Sequence, residues 1–483
     1  MSLSPPKPPE PSGSGYFSRG YFAVDTIAAV SSALGGAIAI VRVSGPRALE
    51  ILGVVTGHAD PTARFPAREM IHTRLLGPKN IPMDDAVAAR FQAPHSFTGE
   101  DLVELHLHGS GFIANQVLSR LLTLGARQAQ RGEFSFRAVR NGKLSITQAQ
   151  AVADLISATQ EDAVALALEK LSGTQNRLIR GLADSLRTLA VLAEAGIDFA
   201  DQEIDAVSLP VLKKGVGETL AVLTQLKESY ARGTRLQAGV SVAFIGLPNV
   251  GKSSFFNAVL GEDRAIVSEQ AGTTRDVLRE QITLRSSDGS SSATFRLQDT
   301  AGLRATDDPV ENQGIGRTEK AARTADINVL LVAPGSDSRA VQEQWDRLEL
   351  SFEKSLGVLT KCDLIPPTDR AAEIQNLASL RPPLWIQTSS LSGEGIGPAI
   401  DALVRMAGEQ TARSQGEILL TRLDQMVAVG DAIGHLLRAV SCPQEDLFAS
   451  DLRQALFSLS PLIGDTLPDD ILGRIFSDFC IGK

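Results

Sequence analysis

The clearest pattern in this chain is the segment Val242-Ala-Phe-Ile-Gly-Leu-Pro-Asn-Val-Gly-Lys-Ser-Ser254. Its first four residues predict a buried strand, and the apolar residues after it predict a helix. The spacing G-x-x-x-x-G-K-S between them is that of a loop that wraps a phosphate chain. Gly246 and Gly251 allow the tight turn. Lys252 can reach the outer phosphates, and the Ser253 hydroxyl is placed for Mg²⁺. The stretch therefore predicts that the protein binds a nucleoside triphosphate.

Length and composition predict a soluble protein of two to four domains. The chain has 483 residues, which is too long for one ordinary core, and 43% of them are hydrophobic, as in soluble globular proteins. No run approaches the ~20 apolar residues that a membrane span needs. Cys362, Cys442 and Cys480 have no C-x-x-C spacing, which favours a reducing, cytoplasmic location over a disulfide framework or a zinc site. The net charge of −9 argues against broad nucleic-acid binding but allows one local basic surface.

Changes of periodicity divide the chain. Residues 1–20 are rich in Pro, Ser and Gly and predict a disordered tail, and residues 21–142 mix short strands and helices as an α/β domain does. Residues 143–238 and 406–483 have apolar positions three and four apart, which predicts a helical bundle in two parts. Residues 239–405 alternate strands and helices, which predicts a doubly wound, mostly parallel sheet. The simplest architecture is a discontinuous helical domain with the nucleotide-binding domain inserted in it.

Shorter segments carry their own predictions. Gly132–Lys143 is interpreted as a loop with three basic residues, and the acidic Ile197–Ile204 as a solvated loop. Gly173 is expected to break a long helical stretch. The predicted strands are Ala37–Val43, Val103–His108, Val242–Ile245, Phe295–Leu297, Ile327–Ala333, Leu356–Leu359 and Leu384–Gln387.

Charged side chains occur inside the two N-terminal strands. Arg42 lies within an apolar run, where its charge needs either a salt-bridge partner or a bound anion, and the spacing does not choose between them. In Val103–His108, alternation places Glu104, His106 and His108 on one face. A histidine pair two residues apart could bind a metal, but an ordinary polar strand face is the preferred interpretation, because no third ligand accompanies the pair.

Two motifs after the phosphate loop predict contacts to Mg²⁺ and the γ-phosphate. In Ala271-Gly-Thr-Thr-Arg-Asp276, Thr274 is placed to complete the Mg²⁺ shell. Asp299-Thr-Ala-Gly302 ends a predicted strand, with Asp299 near Mg²⁺ and the Gly302 amide as a sensor of the γ-phosphate.

Two later motifs predict recognition of the base. In Thr360-Lys-Cys-Asp363 the Asp363 carboxylate can accept both N1–H and N2–H of guanine, a pattern that adenine does not offer, while the Lys361 stem flanks the ring. Ser389-Ser-Leu-Ser392 is expected to supply backbone contacts to the base oxygen. Together with the phosphate loop, the motifs in this order predict a GTPase.

Two positions depart from common GTPase motifs. Thr360 stands where asparagine is usual; its hydroxyl can still connect loops, so we expect some loss of affinity and no loss of base choice. Leu303 stands where many regulatory GTPases have a glutamine that orients water. Hydrolysis must therefore use another polar group, and the candidates downstream are Asp307, Asp308 and Glu311.

With these motifs, the chain from Asp25 to Lys483 resembles the MnmE (TrmE) family of GTPases that modify wobble uridine in tRNA. The segments that carry the resemblance, besides the nucleotide motifs, are Asp25-Thr-Ile27, Arg42-Val-Ser-Gly45, Ser96-Phe-Thr-Gly-Glu-Asp101, Gly132-Glu-Phe-Ser135, Ile197-Asp-Phe199 and Leu472-Gly-Arg-Ile-Phe-Ser-Asp-Phe-Cys-Ile-Gly-Lys483. The resemblance implies a folate-binding, dimer-forming N-terminal domain, then a helical domain holding the GTPase domain.

The resemblance also implies a reaction. With an FAD-dependent partner (MnmG), such proteins use the one-carbon unit of 5-formyl- or methylene-tetrahydrofolate to place an aminomethyl or carboxymethylaminomethyl group at C5 of uridine 34 in tRNA. GTP hydrolysis drives the conformational cycle, and the homodimer joins its partner in a heterotetramer. The alternative that the GTPase motifs alone permit is a switch or assembly factor acting on ribosomal RNA.

The motifs and the resemblance together assign site residues. The motifs assign Mg²⁺ to Ser253 and Thr274, and the resemblance implies that K⁺ is held by Asn249, Ser268, Gln270 and Thr273. The GTP-binding residues would be Asn249, Val250, Gly251, Lys252, Ser253, Ser254, Ser268, Glu269, Gln270, Ala271, Gly272, Thr273, Thr274, Asp299, Thr300, Ala301, Gly302, Thr360, Lys361, Asp363, Ser389 and Ser390.

The remaining assignments concern catalysis and folate. The resemblance chooses Glu311 as the carboxylate that activates water, with Lys252 as a second catalytic residue of GTP hydrolysis. It assigns folate contacts to Arg42, Glu104, Lys143 and Lys483, which favours a ligand role for Arg42. Cys480 would act in the modification chemistry, and the alternative is a small buried side chain.

Overall fold

The computed structural model describes two compact units of the chain. The described residues are 25–158, 160–198, 207–261, 265–268, 281–298, 321–348, 350–376, 382, 384–414, 416–464 and 482. One unit comprises the described residues within Met1–Ser157, Ala167–Thr219 and Gly434–Lys483; the other comprises those within Ala158–Leu166 and Leu220–Ile433.

The strands lie in two parts of the chain, residues 27–128 and 240–387, where they are interspersed with helices. The strands are β1 (Ile27–Val30), β2 (Ile38–Ser44), β3 (Met70–Leu76), β4 (Pro82–Phe91), β5 (Leu102–His108), β6 (Arg127–Gln128), β7 (Val240–Ile245), β8 (Ala265–Ser268), β9 (Gln281–Arg285), β10 (Ser292–Leu297), β11 (Ile327–Val332), β12 (Ser355–Leu359) and β13 (Trp385–Gln387). The helices are α1 (Ala48–Thr56), α2 (Pro61–Arg64), α3 (Gly111–Thr123), α4 (Glu133–Arg140), α5 (Ile146–Ser157), α6 (Glu161–Leu171), α7 (Thr174–Asp198), α8 (Leu209–Glu228), α9 (Tyr230–Ala238), α10 (Lys252–Gly261), α11 (residues 321–324), α12 (Ser338–Leu348), α13 (Pro367–Asn376), α14 (Ile396–Thr411), α15 (Leu423–Ser441) and α16 (Glu445–Ile463).

The N-terminal sheet has the strand order β3-β4-β5-β2-β1-β6 and two unlike faces. Val103, Leu105 and Leu107 of β5 are buried in a core that α1 and α3 cover. On the opposite face, Phe134 of α4 packs on Ile27 and Ala29 of β1. The alternation predicted for β5 is confirmed. One face of the sheet packs into a continuous apolar core. On the other face, the packed apolar residues lie on and beside β1.

Helix α4 corrects the loop predicted over Gly132–Lys143. Gly132 adopts a left-handed conformation with φ 66°, and the helix runs from Glu133 to Arg140. Glu133 and Arg137 are one turn apart, and both side chains are fully buried in an ion pair of 3.0 Å. The sequence pattern was misleading because charges inside an ion-pair network look the same as charges on a solvated loop.

The helical segment after α4 agrees with its predicted period, apart from one boundary. Gly173 has φ 81° and separates α6 from α7, which confirms the predicted break. α7 packs along α16, and the Arg180 guanidinium donates to the Ile463 carbonyl at 2.6 Å. The loop predicted over Ile197–Ile204 is wrong at its start, because α7 continues to Asp198. The rest of that segment lies outside the described residues.

The second sheet has the strand order β13-β12-β11-β7-β10-β9-β8. Neighbours from β13 to β10 are parallel, while β9 and β8 add an antiparallel edge. All residues of β7, β11 and β12 are buried. Helices α10 and α14 cover one face and α12 covers the other. The predicted strands are therefore present in a mixed sheet with a parallel centre, as a buried parallel sheet requires.

Candidate nucleotide-binding site and polar sheet face

The loop between β7 and α10 has the backbone that its glycines predict. A Cβ on Gly246 would lie 2.4 Å from the Leu331 carbonyl oxygen, so only glycine fits there. Gly251 has φ 96° and Asn249 has φ 60°. The Lys252 ammonium donates to the carbonyl oxygens of Gly246 (2.9 Å) and Leu247 (3.0 Å), and burial lowers its pKa. The lysine side chain thus lies across the loop, where its ammonium would contact the phosphates of a bound nucleotide.

The loop after β12 is connected directly to the phosphate loop. The buried Thr360 hydroxyl lies 2.5 Å from the Val250 carbonyl oxygen and 3.1 Å from that of Val332. The Lys361 ammonium donates to the Asn249 carbonyl oxygen at 2.8 Å. The prediction that a threonine hydroxyl would still connect the loops is confirmed. The phosphate-binding and base-recognising segments therefore form one hydrogen-bonded assembly.

A second connection braces the loop after β13. The Ser389 amide donates to the Glu394 carbonyl oxygen at 2.9 Å, and the Glu394 carboxylate accepts from Arg370 at 2.6 Å. The Cys362 amide donates to the Thr388 carbonyl oxygen at 3.0 Å. Sequence reasoning missed Arg370 and Glu394. The available signal was an acid between two glycines, Gly393-Glu-Gly395, directly after the predicted base-contacting serines.

The structure brings part of the predicted nucleotide site together. Asp363 is exposed beside this assembly, Ser389 is buried and Ser390 is half-buried. Ser253 and Ser254 lie in the first turn of α10. Ser268 ends β8, where it is the register partner of Gln281 on β9. The other predicted GTP, K⁺ and catalytic residues lie outside the described residues: Glu269, Gln270, Ala271, Gly272, Thr273, Thr274, Asp299, Thr300, Ala301, Gly302, Glu311 and Cys480.

The second face of the N-terminal sheet carries two of the four predicted folate residues. Arg42 and Glu104 are register partners on β2 and β5, and Arg42 donates to Glu104 Oε1 through Nε at 3.0 Å and NH2 at 2.6 Å. The guanidinium lies 5.5 Å from the centre of the Phe97 ring and 5.7 Å from that of Phe134. The salt bridge proposed for Arg42 is present. The other carboxylate oxygen, Glu104 Oε2, lies 3.6 Å from His106 Nε2.

The other folate candidates differ in how far they are described. Lys143 is exposed and follows α4. Lys483 lies outside the described residues, but its neighbour Gly482 is described and buried. Gly482 has φ 94°, and a Cβ on it would lie 2.2 Å from the Val30 carbonyl oxygen. The backbone at Gly482 therefore lies against the end of β1, on the same sheet as Arg42 and Glu104.

A buried ion cluster holds α4 beside this face. The fully buried Arg137 contacts the carboxylates of Asp25 (2.6 Å), Glu100 (3.0 Å) and Glu133 (3.0 Å). Arg127 also contacts Asp25 and Glu133. Burial would raise the pKa of Asp25, but hydrogen bonds from Arg127 and Arg137 outweigh it and the pKa lies below its usual value. The cluster fixes Phe134 against Arg42.

The histidines of β5 have acidic neighbours. His108 Nδ1 lies 2.7 Å from Asp84 Oδ1, and His106 faces Glu104. Within the described part of the chain, no group of three or more His, Cys, Asp or Glu side chains could hold a metal ion. The same residues include no helix long and apolar enough to cross a membrane.

The nucleotide site defines a class of protein. A G-x-x-x-x-G-K-S loop between a central parallel strand and a helix is the arrangement of P-loop proteins. Its connection to a T-K-C-D loop two strands along the sheet, with Asp363 exposed there, narrows the class to those that bind guanine nucleotides.

Comparison with known proteins identifies the family. Residues 146–480 match the family model described as the MnmE helical domain, and residues 26–143 match that of the GTP-binding protein TrmE N-terminus. The chain therefore belongs to the MnmE (TrmE) family of tRNA modification GTPases.

Individual relatives agree over almost the whole length. The tRNA modification GTPase MnmE of Synechococcus sp. (strain JA-3-3Ab) is 36% identical over 472 residues, which are 95% of this chain and 98% of that protein. The protein of the same name from Xylella fastidiosa (strain Temecula1) is 38% identical over 471 residues, with the same coverage. A solved structure of SsGBP with GDP is 17% identical and covers 51% of this chain and 73% of that one, with a TM-score of 0.26.

Proposed function

We propose that this chain hydrolyses GTP and, with an FAD-dependent partner of the MnmG type, modifies tRNA. The partners would use a folate one-carbon unit to place an aminomethyl or carboxymethylaminomethyl group at C5 of wobble uridine 34. The observation that carries the nucleotide part is the bond from the Thr360 hydroxyl to the Val250 carbonyl, which joins the base loop to the phosphate loop. Family membership over 95% of the chain supports the tRNA part.

Each nucleotide residue has a role in this proposal. On binding, the Lys252 ammonium exchanges the carbonyls of Gly246 and Leu247 for phosphate oxygens. Asp363 accepts the two N–H groups of the guanine edge, and the Lys361 stem flanks the ring. Asp299 and the Gly302 amide respond to Mg²⁺ and the γ-phosphate. The chain itself therefore supplies positioning and charge.

Base choice is tested by Asp363→Asn. An amide can accept one of the two guanine N–H bonds and can donate to a 2-oxo group, so the variant should lose GTP affinity about 100-fold and gain affinity for xanthosine triphosphate. Unchanged GTP affinity would show that Asp363 does not contact the guanine base.

Metal ions complete the proposed hydrolytic site. Ser253 and Thr274 would hold Mg²⁺, and Asn249, Ser268, Gln270 and Thr273 would hold K⁺. The exposed side chain of Asn249, on a backbone turned to φ 60°, fits a ligand at the mouth of the phosphate loop. K⁺ supplies a positive charge where other GTPases use an arginine. Glu311 would orient the attacking water.

Glu311 has its own experiment. Glu311→Ala should slow hydrolysis while leaving GTP binding nearly unchanged, because the carboxylate acts on water and not on the nucleotide. A variant that hydrolyses GTP at the normal rate would return the role to Asp307 or Asp308.

The polar sheet face is the proposed folate site. Glu104 Oε1 is occupied by Arg42, while Oε2 faces the His106 side of the sheet and suits the amide and amino edge of a pterin. Lys143 and Lys483 would bind the carboxylates of the ligand. The folate supplies the one-carbon unit when bound.

Folate binding can be measured on the purified protein. Binding of 5-formyl-tetrahydrofolate should fall at least about tenfold in Glu104→Gln, since a charged acceptor is lost. His108→Gln is the matched control, because His108 lies on the same strand and face but pairs with Asp84. Equal losses in both variants would point to a general disturbance of β5.

The proposal extends to assembly and location. The protein would be a cytoplasmic homodimer joined through residues 21–142, and would form a heterotetramer with its partner. Cys480 would act in the modification chemistry, with a packing role as the alternative. Cys480→Ser tests this choice: lost modification with an unchanged melting temperature supports chemistry, and lost stability supports packing.

One experiment tests the whole activity. Purified protein, FAD partner, folate, GTP and K⁺ should convert wobble uridine to the modified nucleoside by mass spectrometry. Cells lacking the protein should contain unmodified tRNA. Normal tRNA modification in such cells, together with stable binding of the protein to ribosomal subunits, would instead support the alternative role on ribosomal RNA.

A further inference from the structure

Asp326, just before β11, connects three elements at the amino end of the central strands. Its carboxylate accepts from the Ser241 amide (2.9 Å) and hydroxyl (2.6 Å) on β7, and from Arg235 Nε on α9 at 2.7 Å. Its carbonyl accepts from Gln410 on α14 at 3.1 Å. Burial would raise the pKa of Asp326, but the hydrogen bonds from Ser241 and Arg235 outweigh it and lower it. The charged carboxylate is therefore the form the fold holds.

Helix α9 has a second attachment, to the segment that leaves α14. Arg232 contacts the Ala412 carbonyl (3.3 Å) and the Glu417 carboxylate (2.5 Å). A Cβ on Gly233 would lie 2.0 Å from the Leu420 carbonyl oxygen, so the two backbones meet without a side chain between them. The chain segments before β7 and after α14 are thus fastened to each other. We call the pairs Arg235–Asp326 and Arg232–Glu417 the α9 clasp.

The α9 clasp lies at the end of the sheet opposite the nucleotide loop. β7 runs from Ser241 beside Asp326 to the loop at Gly246, and five residues of strand span about 16 Å. β7 and β11 are parallel, adjacent and buried along their whole length. Buried strands that pack this closely deform little, so the phosphate loop and the Ser241–Asp326 contact are the two ends of one closely packed unit.

A second covalent route leads from the nucleotide motifs to Asp326. Gln298, directly after β10, accepts a hydrogen bond from Thr324 at 3.1 Å. The chain between them carries the predicted γ-phosphate sensor Gly302 and the predicted catalytic Glu311. Asp326 follows two residues after Thr324. The segment that holds the predicted γ-phosphate sensor and the predicted water-activating carboxylate therefore leads directly to Asp326.

We propose that the α9 clasp couples the nucleotide state of the site to α9 and to α8, the helix that precedes it in the chain. Arg235 and Asp326 are positioning residues in this coupling, since neither lies at the phosphate loop. The inference rests on the proposed GTP binding and names how that binding is transmitted. Without the Arg235 guanidinium, the sheet can respond to nucleotide while α9 no longer follows it.

Hydrogen exchange of the full-length protein tests the coupling. Amide exchange is compared with GDP and with a slowly hydrolysed GTP analogue, both with Mg²⁺ and K⁺, in the wild type and in Arg235→Ala. In the wild type, exchange rates in α10, α9 and the end of α8 should differ between the two nucleotides. In Arg235→Ala the difference should remain in α10 and fall about 5- to 150-fold in α8 and α9, the range of typical coupling factors.

Controls separate coupling from loss of structure. Arg339→Ala removes an exposed arginine of α12 and should behave as the wild type. Arg235→Lys keeps the charge and should restore part of the difference in α9. If Arg235→Ala lowers the melting temperature of the protein, Ser241→Ala provides the same comparison. It removes the hydrogen bond that Asp326 accepts from the Ser241 hydroxyl on β7.

The outcomes also distinguish this inference from the proposed function. A nucleotide-dependent difference in α8 and α9 that persists in Arg235→Ala overturns the clasp, and so does a wild type in which only α10 responds. If the wild type binds GTP with the coupled response but leaves wobble uridine unmodified with its partner, the tRNA role fails and the clasp stands. If no guanine nucleotide binds, both fail.

Discussion

The hydroxyl oxygen of Thr360 lies 2.5 Å from the carbonyl oxygen of Val250, across 110 residues of sequence. The side chain is buried, and the contact joins the loop that would hold guanine to the loop that would hold phosphate. A threonine therefore makes the connection for which GTPases more often use an asparagine.

Removing this hydroxyl should weaken the nucleotide site. Thr360→Val keeps the shape of the side chain but leaves the buried Val250 carbonyl without this donor, at a cost of about 1–3 kcal/mol. We expect GTP affinity to fall roughly tenfold or more in a fluorescence titration. Thr360→Ser keeps the hydroxyl and should lose much less. Equal affinities of Thr360→Val and the wild type would show that the contact does not organise the site.

The cation prediction concerns Asn249. Hydrolysis should be much faster in K⁺ than in Na⁺ at equal ionic strength, because the smaller ion fits a ligand set of several oxygens less well. In Asn249→Ala the two salts should give nearly the same slow rate. Phosphate release is the measurement, and equal rates for the wild type in both salts would count against the cation role.

The buried ion cluster predicts a large difference between two arginines of one helix. Arg137→Met leaves three carboxylates short of a buried partner and should cost about 3–5 kcal/mol of unfolding free energy. Arg140 is partly exposed and pairs with Glu100 at 3.1 Å, so Arg140→Ala should cost about 1 kcal/mol or less. Urea unfolding followed by circular dichroism measures both, and similar losses would contradict the cluster's role.

His108 predicts a pH effect with a definite sign. The hydrogen bond that the protonated imidazole donates to Asp84, and the charge of that carboxylate, raise the pKa of His108 above the ordinary 6.5. The pair therefore stabilises the folded protein below about pH 6.5, and this contribution is lost as the pH rises through the raised pKa. NMR titration of the imidazole should show a lower pKa in Asp84→Asn. Asp85→Asn, which removes the neighbouring carboxylate paired with Arg74, should change it less.

The parts that the sequence predicts well depend on local chemistry. β7 and the loop after it follow from an apolar run and two glycines with required backbone angles, and the Thr360 connection follows from its motif. In β5 the alternation is strict, so the sequence alone assigns its two faces. In these places a few neighbouring residues determine the conformation.

The parts that it missed depend on distant partners. β4 contains Asp and Ala where strand-forming side chains are usual, and it is a strand because β3 and β5 pair with it on both sides. α4 was missed because the partners of Arg137 include Asp25, 112 residues away. The brace between Arg370 and Glu394 likewise joins segments 24 residues apart. No window of neighbouring residues contains such information.

The two faces of β5 have a consequence for how this protein tolerates mutation. Val103, Leu105 and Leu107 belong to the folding core, while Glu104, His106 and His108 point to the polar face. Substitutions along this one strand should therefore alternate in phenotype, with odd positions lowering the amount of protein in the cell and even positions sparing it. Selection can then reshape the ligand chemistry of the domain at every second residue without losing the stability that the residues between them provide.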